Sequence, residues 1–593
     1  MMKNNIFCEY ERILEKYSIV ESDNFDNLLG LIKEGIREFI ESHSKTAIYC
    51  YGVHTEMLMA DFMIDLKGIH YIVDNYKMCN DKSGFKIITE QEVEKIGIDS
   101  IIISSFKFKE RIKDGLSEHY KNIHVFDIYD YLKERGIYLE SEYYRCNHPY
   151  HHYYVINKLH REIESGVADI VYLYKKLISE FLSIKDFRLA SEYAYRLFRI
   201  SKIKNDKELA DDLSKLYKLE LEMIHSLNKN HVVMLCVDGL KRENLSISFM
   251  SKTFQALRGK AKIFSNAYSY STSTFESLIP VYSENYDMRK KEYHSVMIEG
   301  DNCRFIKKAK EQKREIHFYT QVDKIINDDS IHYLLSACSV TQMIWNFLKD
   351  ANIEQNGLYY LHILYESHYS FSNPYTKGEI IAEGTAMLFD YLDKHGGKLR
   401  TDYVQQNEDA IMYLDDTLAP FIQCLPCQFV LYSDHGNIVL KKDTKLKQIH
   451  NNYYTCHEDW IRIPMAVYSF CDSPVICHDL VSLSSINELI ISLLETRMPN
   501  IKKYSYIKIG RSELYNPDFR FLYKMISEEK RLLAFEGFVF SKGYKLIIYS
   551  NGISELFDWN DNVVSDNTCK MNLLRQVEKD ITVTNNIFDG NVK

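Results

Sequence analysis

The pattern of apolar and polar positions changes after residue 45, from helical spacing to short apolar runs. Residues 1–45 place apolar side chains such as Leu14 and Phe39 at near-helical spacing, which predicts helices. Short runs of β-branched and aromatic residues follow at 46–52, 69–74, 85–88, 99–105 and 123–127. Helical segments separate most of these runs, and strands that alternate with helices in this way predict a small doubly wound parallel sheet. We therefore predict a small α/β domain with N-terminal helices over residues 1–139.

The middle of the chain, residues 140–228, has a helical pattern throughout. Ile156, Leu159 and Ile163 start one amphipathic face, and Ala190 begins a further apolar stretch that is typical of packed helical hairpins. We predict a helical linker domain here.

From residue 229 onward, strand and helix patterns alternate again. Buried strands are predicted at 231–237, 261–264, 315–319, 358–364, 427–432 and 464–469. Three later runs, followed by an Asn-Gly turn, are typical of an antiparallel set: 504–510, 535–540 and 544–549. This pattern predicts a larger α/β domain with a mostly parallel sheet over residues 229–560, followed by a polar tail at 561–593.

Composition and charge narrow the classes of protein. The 593 residues are enough for more than one domain, and the net charge of −9 argues against a broad nucleic-acid-binding surface. No apolar run reaches the roughly 18 residues of a membrane span, and the N-terminus lacks the apolar core of a signal peptide. The thirteen cysteines are scattered, and the close pair Cys424 and Cys427 has no second pair at zinc-finger spacing. We expect a cytoplasmic protein with reduced thiols and leave peripheral contact with a membrane open.

Two predicted strands of the larger domain end on polar residues. Asp238 follows the run 231–237, and Asp434 and His435 follow the run 429–432. Ligands of parallel α/β sheets sit at the carboxyl ends of the strands, and carboxylate oxygens with an imidazole nitrogen suit a divalent metal ion. The pattern therefore predicts the two halves of a metal centre, with a helix N-cap as the alternative role of Asp238.

The order of the polar segments along the chain resembles that of a known superfamily. It runs from Asp238-Gly239 through the hydroxyl cluster 271–274 and Ser367-His368 to Asp434-His435-Gly436. In this order the segments resemble the alkaline phosphatase and sulfatase superfamily, and within it the branch of phosphoethanolamine and phosphoglycerol transferases. The resemblance covers roughly residues 229–560 and implies an alkaline-phosphatase-like catalytic domain. The expected cytoplasmic location departs from that branch, whose catalytic domain usually follows membrane helices and faces outward.

The resemblance implies one divalent metal ion, Zn²⁺, Mn²⁺ or Mg²⁺, and a set of side chains that bind it. The implied ligands are Asp238, Thr274, Asp434 and His435. A second ion stays open, with Glu366 as its candidate ligand. Asp415 lies on a predicted helix before the Asp-His-Gly strand and is expected either to be structural or to support the metal ligands from outside.

The same resemblance assigns the role of nucleophile to Thr274. The segment from Thr274 to Pro280 is similar to the Thr-x-x-Ser-x-Pro region of those transferases, with one additional residue before Pro280, and Ser277 is expected to contact substrate. Metal coordination activates a hydroxyl, and a helix that begins just after it offers N–H groups to a phosphate. Neither Pro nor Arg follows Thr274 at the sulfatase offsets, which favours phosphoryl over sulfuryl chemistry. The competing hydroxyls are those of Ser271, Thr272 and Ser273.

The sequence predicts different roles for four histidines of the larger domain. By resemblance, His368 touches the transferring phosphate or protonates the leaving oxygen, and His450 handles charge and protons. The resemblance favours His450 over His457, which is expected to bind substrate, and a surface position stays open for both. His362 lies inside an apolar run and is predicted to be a core histidine.

Together these features predict a metal-dependent phosphotransferase that works through a covalent phosphothreonine. Its partners would be a phosphodiester donor of the phosphoethanolamine or phosphoglycerol type and a glycan or small-molecule acceptor. Two alternatives stay open. One is a hydrolase (phosphodiesterase, phosphatase or sulfatase-like), and the other is a catalytically silent binding module.

The first domain, residues 1–139, resembles Rossmann-like domains and carries a weaker functional signal. Gly52 and Asp74 stand about where a dinucleotide fold places its turn glycine and its ribose carboxylate. The turn lacks the GxGxxG pattern that lets the backbone approach a pyrophosphate. We expect no bound NAD(H) and leave a scaffold role and a ligand-binding role open.

Overall fold

The computed structural model of the protein covers both predicted α/β regions. It describes residues 5–19, 25–62, 65–75, 84–106, 108–120, 122–135, 149–166, 169–283, 297–322, 324–335, 339–351, 355–367, 373–377, 402–437, 455–499, 501–514 and 528–584. Contacts between residues divide the chain into two compact units, Val20–Lys158 and Met1–Ile19 with Leu159–Lys593. We call them the smaller and the larger unit.

The helices and strands are numbered in chain order. The helices are α1 Asn5–Tyr17, α2 Phe25–Glu41, α3 Val53–Phe62, α4 Val93–Ile96, α5 Lys109–His119, α6 Ile128–Glu134, α7 Pro149–Ser165, α8 Ile170–Ser183, α9 Phe187–Ser201, α10 Lys204–His225, α11 Ser251–Arg258, α12 Thr274–Ser283, α13 Arg304–Glu311, α14 Val340–Asp350, α15 Asp402–Cys424, α16 Glu458–Ile461, α17 Ile486–Leu494 and α18 Asn567–Val577. The strands are β1 Thr46–Tyr49, β2 Tyr71–Val73, β3 Lys86–Ile88, β4 Ser100–Ile103, β5 His124–Asp127, β6 Val232–Val237, β7 Lys262–Tyr268, β8 Ile298–Glu299, β9 Glu315–Thr320, β10 Ile326–Asn327, β11 Ile331–Leu335, β12 Gly357–Ile363, β13 Gln428–Tyr432, β14 Arg462–Tyr468, β15 Val475–Ser482, β16 Tyr506–Arg511, β17 Phe535–Phe540, β18 Tyr544–Tyr549 and β19 Ser554–Asp558. Among the described residues, no helix combines the length and the apolar character that crossing a membrane requires.

The smaller unit is built on a parallel sheet with the strand order β3-β2-β1-β4-β5. All of these strands lie within the runs predicted from the sequence. Side chains that alternate along β1 and β2 bury both faces: Ile48 and Ile72 belong to one apolar cluster, and Ala47 and Val73 to another. This is the order of a doubly wound sheet, in which the chain changes direction between β1 and β4.

Asp74 supports the turn that follows β1. Its Oδ2 accepts a hydrogen bond from Tyr51 N at 2.9 Å, and Cys50 in the same turn has a φ of 76°. Nearby, the buried His54 has its Nδ1 3.0 Å from Ser104 Oγ, just beyond β4. Hydrogen bonds within the protein therefore connect the carboxyl ends of β1, β2 and β4.

The larger unit contains an eight-stranded mixed sheet in the order β11-β9-β12-β6-β13-β14-β7-β15. Five of its seven strand pairs are parallel, and β14 is antiparallel to both β13 and β7. The prediction of an α/β fold with a mostly parallel central sheet is confirmed.

Three neighbouring strands at the centre of this sheet bring the predicted ligand segments together. β6 pairs in parallel with β13, so that Cys236 lies opposite Tyr432. β12 pairs with the other side of β6, so that His362 also lies opposite Cys236. The residues that follow β6 and β13 therefore emerge side by side at the carboxyl edge of the sheet.

The unit boundaries differ from the predicted domain boundaries. Helix α1 belongs to the larger unit, because it packs on α10, where Glu9 pairs with Lys215 and Arg12 pairs with Asp212. Helices α8 to α10 also belong to the larger unit, and contacts do not separate them as a linker domain. An amphipathic pattern predicts a helix but does not reveal the surface on which it packs.

The C-terminal region forms an antiparallel sheet in the order β16-β17-β18-β19. Gly552, with a φ of 84°, lies in the turn between β18 and β19. The segment predicted as a polar tail contains helix α18, which packs Leu573 and Val577 with apolar side chains of this sheet. The sheet and α18 therefore form one packed element.

Candidate metal centre

Three buried side chains meet at the carboxyl edge of the central sheet. Asp238 follows β6, Asp434 and His435 follow β13, and all three are at most 1% exposed. One ligand atom of each lies within 4.8 Å of the other two. His435 Nε2 is 3.3 Å from Asp434 Oδ2 and 3.8 Å from Asp238 Oδ1. The fold thus brings together three residues that the sequence predicts as metal ligands.

The charges of this cluster fit a bound cation. Asp238 Oδ1 and Asp434 Oδ2 are buried and have no hydrogen-bond partner in the described part of the chain. Burial and the charge of Asp434 raise the pKa of Asp238 well above its usual value. Adjacent buried carboxylates need a compensating charge, and two carboxylate oxygens with one imidazole nitrogen form a donor set for a divalent metal ion. The residues present therefore fit the metal that the sequence implies.

In His435 and Asp434, the side-chain polar atom that does not face the centre is hydrogen-bonded to the backbone. His435 Nδ1 lies 2.6 Å from the carbonyl oxygen of Gly436, to which it donates, and this places the lone pair on Nε2, which faces the carboxylates. Asp434 Oδ1 accepts from Gly239 N at 3.1 Å, on the side away from its unpartnered Oδ2. Gly436 lies so close to α16 that a Cβ would overlap the carbonyl oxygen of Asp459. A glycine is therefore needed in the turn that orients the His435 ring.

Thr274 begins helix α12 beside the three ligands. Its Oγ1 donates to Asp238 Oδ2 at 3.0 Å and lies 3.3 Å from His435 Nε2. The residue is 8% exposed. The hydroxyl is therefore placed where it can act as a fourth ligand and as the predicted nucleophile.

The competing hydroxyls lie in the turn before α12. Ser271 donates its backbone N–H to Ser277 Oγ at 3.1 Å, so these two serines shape the turn. Thr272 and Ser273 are buried in the same turn. Direct contact with two ligands favours Thr274 as the nucleophile, and a substrate contact of Ser277 stays a prediction.

His362 is a residue of the centre whose contact the sequence did not reveal. Its Nε2 lies 3.2 Å from Asp238 Oδ2, and the residue is fully buried. Burial lowers the pKa of His362 to about 4, so the ring is neutral and donates from Nε2 to the carboxylate. His362 is thus a buried, hydrogen-bonded histidine, as predicted, and the pairing of β12 with β6 adds that its partner is a predicted metal ligand.

We expect His362→Leu to weaken metal binding by about 10–100-fold, because Asp238 loses a donor that orients its carboxylate. His362→Gln retains an N–H donor at a similar reach and should restore much of the affinity. Titration calorimetry with Zn²⁺ measures both affinities, and circular dichroism checks the fold. Equal affinities of the wild type and a folded His362→Leu protein would contradict this role.

Glu366 and Asp415, two carboxylates with roles predicted from the sequence, accept hydrogen bonds from backbone N–H groups at the starts of helices. Glu366 Oε1 accepts from Val340 N at 3.1 Å at the start of α14. Its Oε2 lies 3.4 Å from Gln321 Nε2, and a second metal ion at Glu366 stays a prediction. Asp415 Oδ1 accepts from Thr253 N at 2.7 Å in the first turn of α11, in keeping with the structural role expected for it.

The histidines beyond β13 contribute less to the described site. His457 caps α16: its Nδ1 accepts from Asp459 N at 3.2 Å, and its Nε2 lies 3.2 Å from Asp561 Oδ2. Both ring nitrogens are thus engaged within the protein, which argues against the predicted substrate contact of His457. His368 and His450 lie outside the described residues, and their roles stay predictions.

A second group of acidic residues lies in the smaller unit. It consists of Glu110, Asp127 and Asp130. Lys109 Nζ is 3.2 Å and Lys113 Nζ is 2.6 Å from Asp127 Oδ2. Two ammonium groups offset most of the charge of these three carboxylates and Glu110 is exposed, so the charges do not require a metal ion.

Comparisons with known proteins give structural likenesses only. Neither a protein-family profile nor a curated protein sequence matches the chain. The phosphonate monoester hydrolase SpPMH from Silicibacter pomeroyi has a TM-score of 0.39 and 12% identity, with 59% of this chain and 96% of that chain covered. The C-terminal periplasmic domain of EcEptC from Escherichia coli has a TM-score of 0.34 and 14% identity, with 50% and 92% covered. A protein in the alkaline phosphatase superfamily from Vibrio parahaemolyticus has a TM-score of 0.35 and 12% identity, with 63% and 97% covered.

The last of these solved structures is described as a member of the superfamily that the sequence motifs resemble. All three TM-scores lie below 0.5, so the likeness is partial. What the fold and the site define by themselves is an α/β protein with a buried candidate metal centre and a hydroxyl beside it.

Proposed function

We propose that this protein is a metal-dependent phosphotransferase of the alkaline phosphatase and sulfatase superfamily. The observation that carries the proposal is the position of the Thr274 hydroxyl, 3.0 Å from Asp238 Oδ2 and 3.3 Å from His435 Nε2. A hydroxyl held against metal ligands is the arrangement that an activated alcohol nucleophile requires.

Asp238, Asp434, His435 and Thr274 would hold one divalent ion. Two carboxylate oxygens, one imidazole nitrogen and one hydroxyl suit Zn²⁺ or Mn²⁺, and the oxygens also suit Mg²⁺. When bound, such an ion lowers the pKa of a coordinated hydroxyl and stabilises charge on phosphoryl oxygens. His362 would keep Asp238 Oδ2 in place from the other side.

The transfer would take two displacements at phosphorus. Thr274 Oγ1 gives its proton towards Asp238 Oδ2, its hydrogen-bond acceptor, and attacks the phosphorus of the donor. A P–O bond to Thr274 forms while the P–O bond to the leaving alcohol of the donor breaks, and the leaving oxygen takes up a proton. In the second displacement the acceptor hydroxyl gives up its proton and attacks the phosphothreonine, and Thr274 regains a proton as its P–O bond breaks.

The donor would be a phosphodiester of the phosphoethanolamine or phosphoglycerol type, and the acceptor a glycan or another hydroxyl compound. The motif order from Asp238 to Gly436 supports this class of donor. N–H groups in the first turn of α12 would orient the phosphate. His368 and His450 are proposed to handle protons and charge, as the motif resemblance implies.

Chromogenic esters test this reaction class. We expect p-nitrophenol release from p-nitrophenyl phosphoethanolamine in the presence of Zn²⁺ or Mn²⁺, none after EDTA treatment, and none from p-nitrophenyl sulfate. Added glycan acceptors should speed release in a transferase and leave it unchanged in a hydrolase. Cleavage of the sulfate ester alone would overturn phosphoryl chemistry, and cleavage of neither ester with any of the three metals would favour a binding module.

A further inference from the structure

The antiparallel sheet β16–β19, here the C-terminal sheet, contacts the segments on both sides of the metal centre. Thr274 and His435 lie 3.3 Å apart but belong to different parts of the chain, one at the start of α12 and the other after β13. The central sheet links the two segments on one side, because Ser269 N, before α12, donates to the carbonyl oxygen of Ile461 at the end of α16 at 2.8 Å. Contacts with the C-terminal sheet reach both.

The first contact holds the segment around Thr274. Just after β16, Ser512 donates its backbone N–H to Glu276 Oε1 at 3.2 Å, and its hydroxyl donates to the same oxygen. Glu276 lies two residues after Thr274, is 5% exposed, and also accepts from Ser271 Oγ at 2.9 Å. In β16 itself, Gly510 N donates to the carbonyl oxygen of Tyr270 at 3.0 Å. The edge of the C-terminal sheet is thus bonded to the turn before Thr274 and to the helix after it.

The second contact is a buried charge cluster. Lys545 in β18 is 0% exposed, and its Nζ lies 3.1 Å from Glu458 Oε1 and pairs with Asp561 Oδ1. The same ammonium donates to the carbonyl oxygen of Cys456 at 3.1 Å. Glu458 is the first residue of α16, and its backbone N–H donates to Asp561 Oδ2 at 3.1 Å. Lys545 of the C-terminal sheet and Asp561 just after it therefore make three contacts with Glu458 and Cys456 at the start of α16.

Helix α16 in turn contacts the turn that carries His435. Gly436 N donates to the carbonyl oxygen of Trp460 in α16 at 2.7 Å, and a side chain at Gly436 would overlap Asp459 O. The Gly436 carbonyl oxygen then accepts from His435 Nδ1 at 2.6 Å. A continuous series of contacts leads from Lys545 to the imidazole that faces the carboxylates.

We infer that the C-terminal sheet is a positioning element of the metal centre, which sets the spacing of Thr274 and His435 through Ser512 on one side and Lys545 on the other. The inference rests on the metal centre of the proposed function. If the C-terminal sheet served stability alone, substitutions in its contacts would lower the melting temperature without changing metal affinity. If the sheet positions the ligands, the same substitutions weaken metal binding even in the folded protein.

The test compares two variants and a matched control, all in the full-length protein and at a temperature at which all are folded. Ser512→Ala removes the hydroxyl bond to Glu276, and Lys545→Met removes the ammonium beside Glu458 and Asp561. Lys508→Met is the matched control, because Lys508 lies in β16 and its partners Glu536 and Asp580 belong to the C-terminal region.

Titration calorimetry with Zn²⁺ alone gives the affinity, and thermal melting followed by circular dichroism gives the stability. We expect about 10–100-fold weaker binding for Ser512→Ala and Lys545→Met, the range of lost outer-shell support, and a change below about twofold for Lys508→Met. Ser512→Thr keeps the hydroxyl and should restore affinity to within a few-fold of the wild type.

Unchanged affinity in both folded variants would overturn the inference, as would an equal loss in the control. If Lys545→Met does not fold, Asp561→Asn takes its place, because it weakens the same ion pair while keeping the shape of the side chain. A wild type that binds no Zn²⁺, Mn²⁺ or Mg²⁺ would instead refute the metal centre of the proposed function. The two failures can therefore be told apart. A wild type that binds no metal refutes the metal centre, whereas equal binding by the wild type and its Ser512 and Lys545 variants refutes only the positioning role.

Discussion

The Asp434→Ala protein is expected to lose its bound metal ion and its activity while it keeps its fold. Asp434 Oδ2 is buried, unpartnered among the described residues and 3.3 Å from His435 Nε2, so its removal takes away a ligand oxygen. The loss of affinity should exceed the about 10–100-fold that loss of an outer-shell partner costs. The fold should persist, because the substitution also removes a like charge beside Asp238.

Asp415→Ala provides a matched control for this prediction. Asp415 is another buried aspartate of the larger unit, 4% exposed, but its oxygens accept from Thr253 N and Lys252 N at the start of α11. Its loss should cost about 0.5–2 kcal/mol of stability, as the loss of a helix cap does, and should leave bound metal unchanged. Elemental analysis and circular dichroism measure the two effects. A folded Asp434→Ala protein with undiminished metal would remove Asp434 from the ligand set.

The parts of the centre that depend on strand ends were predictable from the sequence. An apolar run that closes on Asp238, or on Asp434 and His435, marks both the strand and the end at which ligands bind. Parallel pairing of β6 with β13 then places the two ends side by side. The expectation that all three bind one ion also drew on the motif order, which resembles that of the superfamily.

Contacts that depend on strand order or on helix docking were not predictable in this way. His362 sits inside an apolar run, and only the pairing of β12 with β6 turns it towards Asp238. Glu366 follows the same strand, yet its carboxylate turns to the start of α14, a direction that the sequence pattern does not contain. In the same way, the amphipathic pattern of α1 predicts a helix but not its pairing with Lys215 and Asp212 on α10.

The wild-type protein is expected to acquire the transferred group covalently on Thr274 when it meets its donor. The hydroxyl donates to Asp238 Oδ2 at 3.0 Å, so it has both a proton acceptor and a position beside the ligands. Attack on phosphorus divides one displacement into two, and the ester persists until an acceptor hydroxyl or water attacks it. Intact-mass measurement after incubation with p-nitrophenyl phosphoethanolamine should show the added phosphoethanolamine, and peptide mapping should place it on residue 274.

Removal of the nucleophile should abolish both the adduct and turnover. We expect Thr274→Ala to lose activity by about 10⁴-fold or more, the scale seen when a covalent nucleophile is removed. Thr272→Ala and Ser273→Ala, which alter buried hydroxyls of the same turn, are the matched controls and should keep the adduct.

The fate of the adduct separates the three functions considered for this protein. In a transferase, an added hydroxyl acceptor discharges Thr274 faster than water does, whereas in a hydrolase the acceptor makes no difference. A binding module acquires no adduct from any phosphodiester donor. An adduct that survives Thr274→Ala and disappears in Thr272→Ala or Ser273→Ala would keep the chemistry and move the nucleophile. The 3.3 Å contact between Thr274 and His435 would then be a ligand contact without a covalent role.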